Sequence, residues 1–417
     1  MIKTVKKAAV SGGVKAPSSK SYAQRAIAAA LLAEGESRLL NMELCSDTRA
    51  ALRVAGLLGA KYRIEGESTY VISGGLNPVT SIINIGESGL SARMFTPIAA
   101  LCDIPITIEG EGTIARRPMH MLIDPLRDLG VAVKAKGGHL PLGVRGPIRG
   151  GQAVVDGNVS SQFITGLLMA LPLAGSDTTF FVTKAKSLPY IDMTLDVLES
   201  FGIEGKHQDY RQFYIEGNQR YTPREYAIEG DWSGASCLLV AGAVAGEITV
   251  RNLNPLSKQA DVALIDALSH AGAEVITSAD SVTVRRPEKL HAFEFDATNC
   301  PDLFPALAAL AANCAGDTLI TGTERLRHKE SDRAETLKEE FGKMGIEIDV
   351  SEENVMRITG GRLHGADLDS HGDHRIAMSV AVAALTADSP VTIDGAESVE
   401  KSYPAFWDDL EAVTAVR

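Results

Sequence analysis

The sequence predicts an α/β protein of two domains, each built from three copies of one unit with two helices and several strands. Two interleaved residue series and the chain length predict this. The first series is an apolar helix, a turn with Gly or Asp, and a β-branched strand. It appears as AALLAEGESRLLN from Ala29, IAALCDIPITIEG from Ile98 and MALPLAGSDTTFFV from Met169. It returns as VAGAVAGEITVRN from Val240, LAANCAGDTLITG from Leu310 and AVAALTADSPVTIDG from Ala381. Its turn residues Gly35, Asp103, Gly175, Gly246, Gly316 and Asp388 recur at about 70-residue intervals, too long for a solenoid and right for globular units. The second series is an amphipathic helix that ends in Gly59, Gly130, Gly202, Gly272 or Gly345 and runs into a strand, as expected where glycine terminates a helix. A chain of 417 residues exceeds the ~250–300 residues that one hydrophobic core serves.

The boundaries follow from composition. The polar segment Gly217–Gly234 contains Pro223 and separates the halves, and a short strand precedes the first repeat. Crossings are placed near Ala16 and Glu229. The predicted domains are residues 1–15 with 230–417, and an inserted domain of residues 16–229.

Composition excludes several function classes. The formal net charge is −12, whereas counterion release on nucleic acid needs a basic surface. No apolar run approaches a membrane span, and the basic N-terminus lacks an apolar leader segment. Cys45, Cys102, Cys237, Cys300 and Cys314 are odd in number and form no C-x-x-C pair. They read as free thiols in a reducing, cytoplasmic compartment, without a structural zinc site.

Against the aliphatic background stand short polar islands. APSSKSYAQRA places Lys20, Ser21 and Arg25 where a loop enters a helix, an arrangement suited to anions. IGESGLSARMF supplies Gly89 for close backbone approach and Arg93 on the following helix; IARRPMHML supplies Arg117. VDGNVSSQFITGLL carries Ser160, Ser161 and Gln162, and SLPYIDMT carries Ser187 and Tyr190. Asp302 precedes an apolar helix, where it reads equally as a cap. RLRHKESDRAETL holds Lys329, Glu330 and Arg333, and a run of this kind is ordinarily a solvated helix face. HGDHRIAM opens a wholly apolar helix with Asp373, His374 and Arg375, which is hard to reconcile with a surface. VEKSYPAF adds Lys401. Together these cations suit two small polyanionic ligands, and Asp302 and Glu330 are the carboxylates available for proton transfer between them. Residue chemistry alone does not name the substrates.

The ordered set PSSKSYAQRA, GESGLSARM, ARRPM, DGNVSSQF, SLPYIDMTL, EGDWSGAS, KESDR, GDHRIAM and EKSYPAF resembles the 3-phosphoshikimate 1-carboxyvinyltransferases of the enolpyruvyl transferase family, over residues 15 to 407. The resemblance implies an inside-out α/β barrel fold of βαβαββ-like units, three per domain, with the ligand cleft between the domains. It implies transfer of the enolpyruvyl group of phosphoenolpyruvate to the 5-hydroxyl of shikimate 3-phosphate by addition and elimination. By the same resemblance Lys20, Ser21, Arg25, Ser160, Ser161, Gln162, Ser187, Tyr190, Asp302 and Lys329 meet shikimate 3-phosphate. Lys20, Gly89, Arg93, Arg117, Gln162, Arg333, Arg375 and Lys401 meet phosphoenolpyruvate. Asp302, Glu330 and Lys20 are catalytic, no metal or organic cofactor is needed, and the protein is a monomer. The chain departs from the family pattern at Ser18, at Arg325, and at Glu87–Leu90, where Asn-Ala-Gly-Thr is frequent; Glu87 and Leu90 stay outside the predicted site. Two rivals are the sister enzyme acting on UDP-N-acetylglucosamine and a non-catalytic anion-binding paralogue. The first uses a loop cysteine near the Arg117 island, and none is present there; the second would be expected to lose Lys20, Asp302 or Glu330.

Overall fold

The computed structural model describes residues 1–415. The chain divides into two compact units: Met1–Ser19 with the chain from Glu229 onward, and Lys20–Ile228. The first crossing lies between Ser19 and Lys20, not at Ala16. The reason is local: the Ala16 amide donates to the Arg251 carbonyl and the Ser19 amide to the Glu229 carbonyl, which keeps residues 16–19 with the first unit.

Each unit contains three buried helices. In one they are Lys20–Leu32, Gly89–Ala99 and Gln162–Ala170. In the other they are Trp232–Ala245, Phe304–Ala312 and His374–Ala384. Beyond their polar first turns their sequences are mostly apolar on every side, which is what a helix with no solvent face requires. Close packing is enforced at Gly166, where an added Cβ would lie 2.2 Å from the Arg93 carbonyl oxygen of the neighbouring helix.

Each buried helix runs into a strand of its own sheet. These strands are Gly35–Leu40, Ile106–Glu109, Thr178–Thr183, Glu247–Arg251, Asp317–Thr321 and Val391–Asp394. Every one pairs on one side with a parallel strand and on the other with an antiparallel strand. The repeat read from the sequence is therefore a repeat of sheet topology. Its strands are not all consecutive: Gly35–Leu40 takes its parallel partner from Glu225–Ala227, and Glu247–Arg251 from Gly13–Lys15. The sixth sheet takes its antiparallel partner from Lys3–Val5.

The second helices of the repeat lie nearer the surface. The glycines that follow five of them, Gly59, Gly130, Gly202, Gly272 and Gly345, have φ of 121°, 87°, 78°, 91° and 85°, the left-handed region in which only glycine is unstrained. Among the described residues no helix is long and apolar enough to cross a membrane.

Candidate active site

Five of the polar islands, those of Lys20, Gly89, Gln162, Asp302 and Arg375, lie at the N-terminal ends of buried helices. A buried helix start leaves backbone N–H groups without partners, and short polar side chains or ligands must satisfy them. Ser88 caps Gly89–Ala99 by accepting from the Ser91 amide, Asp231 caps Trp232–Ala245, and Asp373 caps His374–Ala384.

In the Lys20–Ile228 unit, Lys20 Nζ donates to Asp47 Oδ2 at 2.8 Å. Gln24 Oε1 accepts from the hydroxyls of Ser88 at 2.8 Å and Ser91 at 2.9 Å, tying the first helix to the start of the second. Arg25 is 1% exposed and its hydrogen-bond partners are neutral. Its Nε donates to Thr194 Oγ1 at 2.9 Å, Nη1 to the Ser21 carbonyl at 2.8 Å, and Nη2 to Thr165 Oγ1 at 3.3 Å and the Tyr190 carbonyl at 3.1 Å. Burial without a counter-charge pushes this guanidinium down to about 10. Arg93 donates to Gln162 Oε1 at 2.6 Å and lies over the Phe163 ring at 4.9 Å. The Arg117 guanidinium rests on Gly89, where a Cβ would sit 3.0 Å from Nη1. Ser160 Oγ accepts from the Gln162 amide, and Ser161 is buried beside it. Ser187 holds φ at 55°, a strained conformation for serine of the kind that clusters at ligand sites. Glu87 is exposed, with its carboxylate against Gly112.

In the other unit the charged groups are already joined. Arg333 is 1% exposed and forms the hub. It donates from Nε to Asp373 Oδ2 at 2.8 Å, from Nη1 to Asp302 Oδ1 at 2.7 Å, and from Nη2 to Glu330 Oε2 at 2.8 Å and Asp373 Oδ1 at 3.3 Å. Burial opposes its charge, but Asp373, Glu330 and Asp302 outweigh burial and raise Arg333 well above the ordinary arginine value. Lys329 Nζ reaches Asp302 Oδ1 at 3.0 Å, and Arg375 Nη2 lies 3.6 Å from Asp302 Oδ2. For Asp302 burial is the largest influence and would raise it; the charges of Lys329, Arg375 and Arg333 together hold it well below the carboxylate range. Lys329 is pushed down to about 8, chiefly by burial, with Arg333 and Arg325 adding to the effect and Asp302 opposing it. Lys401 closes the turn Ala396–Lys401.

Two alternatives left open by the sequence are thereby decided. Asp302 is not a cap: it lies in the turn Pro301–Leu303, and its carboxylate faces cations. The Lys329–Arg333 run is not a solvated face, since Lys329, Glu330 and Arg333 have side chains only 17%, 12% and 1% exposed. Sequence reasoning missed Asp47, Thr165, Thr194 and Gln24, and left Asp373 out of the predicted site. Of these only Asp373 carried a signal, an acid opening an apolar helix. The described residues also include one group able to gather around a cation, Glu339, Glu340 and His371, and there Lys343 Nζ already lies 2.7 Å from Glu340.

Comparison with known proteins identifies the family. A family model described as EPSP synthase (3-phosphoshikimate 1-carboxyvinyltransferase) matches residues 5–410. A 3-phosphoshikimate 1-carboxyvinyltransferase of Methanococcoides burtonii is 39% identical over 421 residues, covering 99% of this chain and 98% of that protein. One from Methanosarcina acetivorans is 40% identical over 419 residues, covering 98% and 96%. The fold matches that of an EPSP synthase from Acinetobacter baumannii with a TM-score of 0.84 at 24% identity, over 99% of this chain and 98% of that one. With a match across nearly all its length and relatives this similar, the chain belongs to the EPSP synthase family, the 3-phosphoshikimate 1-carboxyvinyltransferases.

Proposed function

We propose a division of labour among these residues for the carboxyvinyl transfer that the family carries out. Shikimate 3-phosphate meets Lys20, Ser21, Arg25, Ser160, Ser161, Gln162, Ser187, Tyr190, Asp302 and Lys329. Phosphoenolpyruvate meets Lys20, Gly89, Arg93, Arg117, Gln162, Arg333, Arg375 and Lys401. In the addition step the 5-hydroxyl oxygen bonds to C2 of phosphoenolpyruvate, Asp302 accepts the hydroxyl proton, and Glu330 delivers a proton to C3. In the elimination step the C2–O bond to phosphate breaks and C3 loses a proton to Glu330, leaving the enolpyruvyl ether and phosphate. Lys20 meets the leaving phosphate.

The observation that carries this reading is the Arg333 hub, which holds Asp302 and Glu330 on one guanidinium. Asp302 so strongly held by cations is a weak base. Substrate anions that compete for Lys329 and Arg375 relax that hold, so proton uptake is coupled to ligand binding. Fixed cations stabilise the charge that develops on the reacting oxygens, so the steps call for no metal ion. We infer a cytoplasmic monomer, consistent with a net charge of −12.

The test is phosphate release that requires both substrates. Glu330→Gln is expected to lower turnover ~100-fold or more, the usual contribution of a general acid or base, while the variant still folds. Near-normal turnover in this variant would remove Glu330 from the proton transfers.

A further inference from the structure

Asp261 stands outside every role assigned above. Its turn, Ala260–Ala263, lies against the start of the buried helix Trp232–Ala245. The residue is 1% exposed. Its Oδ2 accepts from the Ser233 hydroxyl, while its buried Oδ1 has no hydrogen-bond partner. Ser233 is held at its other end too, since its carbonyl accepts from Arg375 Nη1 at 3.1 Å. A continuous set of contacts thus runs from Asp261 through Ser233 to the guanidinium that faces Asp302. The charged and titratable groups that face Asp261 are Asp231, Cys300, Asp302 and Arg375.

A buried carboxylate with one oxygen unsatisfied is costly, and an asparagine of the same shape would avoid the charge. Burial first, and then repulsion from Asp302, push Asp261 up to about 7, against the pull of Arg375 and the Ser233 hydroxyl. It therefore changes charge near neutrality, beside the two groups that matter most to the chemistry.

We propose that Asp261 is a positioning residue of the transfer reaction: through Ser233 it fixes the Arg375 guanidinium, and its charge sets how tightly Arg375 holds an anionic substrate and how readily Asp302 takes up a proton. The inference rests on the reading that Arg375 meets phosphoenolpyruvate and Asp302 the 5-hydroxyl. Ionised Asp261 weakens the field of Arg375 on the anion and makes Asp302 the better base. Protonated Asp261 does the reverse.

The experiment follows the KM for phosphoenolpyruvate and kcat of the full chain from pH 5.5 to 9, for the natural protein and Asp261→Asn. In the natural protein the KM is expected to rise roughly 5-fold or more across a step near pH 7, the size of a unit charge acting across a partly screened site. In Asp261→Asn the step is absent, the KM stays at its low-pH value, and kcat above pH 7 is lower. Ser233→Ala removes a donor that favours the ionised form, so its step moves to higher pH. A purely structural Asp261 would leave the step in place.

Stability gives a readout independent of substrate. A carboxyl raised on folding contributes stability that is full below the unfolded value and lost as pH rises to about 7. Asp261→Asn is therefore expected to melt at a higher temperature than the natural protein at pH 8. A KM step that persists in Asp261→Asn overturns the proposal. So does a lower melting temperature at pH 8, or a failure of the variant to fold. Absence of phosphate release in the natural protein, with the pH 8 melts as expected, would instead count against the substrate reading.

Discussion

Arg25 and Arg333 are equally buried, each 1% exposed, and are held in opposite ways. Arg25, in the Lys20–Ile228 unit, rests on two threonine hydroxyls and two carbonyls. Arg333, in the other unit, rests on three carboxylates. Burial pushes the first down to about 10, whereas the second is raised well above the arginine range. A buried cation with only neutral partners retains its full field for an incoming anion. A buried cation already paired with acids has less field left for a ligand and also orders the acids around it. On the proposed reading this gives Arg25 chiefly the work of binding, and Arg333, besides its contact with phosphoenolpyruvate, the work of arranging proton donors and acceptors.

The largest effect expected from this difference is in stability. Asp373→Asn removes a fully buried counter-charge from Arg333 and should cost ~3–5 kcal/mol, as breaking a buried pair does. Arg25→Met removes a charge that has no counter-charge; denaturant midpoints should change little while affinity for shikimate 3-phosphate collapses. Equal losses of stability in the two variants would erase the distinction.

An intermediate effect concerns Lys329, which loses its proton as pH rises through about 8. Its charged form is disfavoured on folding, so between about 8 and the ordinary lysine value the fold gains stability with pH while the charge offered to a ligand is lost. Calorimetry at pH 7 and 9 should show affinity for shikimate 3-phosphate falling about tenfold, in line with a charge-assisted hydrogen bond worth ~1.5–3 kcal/mol. In Lys329→Met that fall should be missing. A fall that survives the substitution would assign the titration elsewhere.

The smallest effect is at Gly89. An alanine Cβ would lie 3.0 Å from Arg117 Nη1, the far end of a flexible side chain. Gly89→Ala should raise the phosphoenolpyruvate KM by only a few-fold, about 1 kcal/mol at most, and leave the melt unchanged. A loss of stability would mean that the glycine serves the helix start and not the arginine above it.

What the sequence reveals and what it hides follow the same division between local and distant causes. Gly59, Gly130, Gly202, Gly272 and Gly345 were legible because a left-handed residue after a helix is a local requirement. Asp373 and Arg375 were conspicuous because charge opening an apolar helix has no surface explanation. Asp47 and Thr194 were invisible as partners: Asp47 lies 27 residues from Lys20, and Thr194 lies 169 from Arg25. An acid in a first helical turn, or a threonine inside a helix, reads as ordinary until the fold places it. The mixed pairing was hidden for the same reason in the two sheets where Glu225–Ala227 and Gly13–Lys15 pair with strands far away in the chain.

The pairing of Lys3–Val5 with Val391–Asp394 sets an order of events during synthesis. Lys20–Ile228 draws all the strands of its sheets from one continuous stretch, so it can fold while later residues are still being made. The strand at Lys3–Val5 is made well before its partner and must wait until hundreds of further residues have followed it. Until then its edge is open, and three lysines, Lys3, Lys6 and Lys7, stand in and beside it. Lysines on an unpaired edge discourage pairing with the wrong neighbour. The nascent chain thus carries its own protection through a delay that spans hundreds of residues of synthesis.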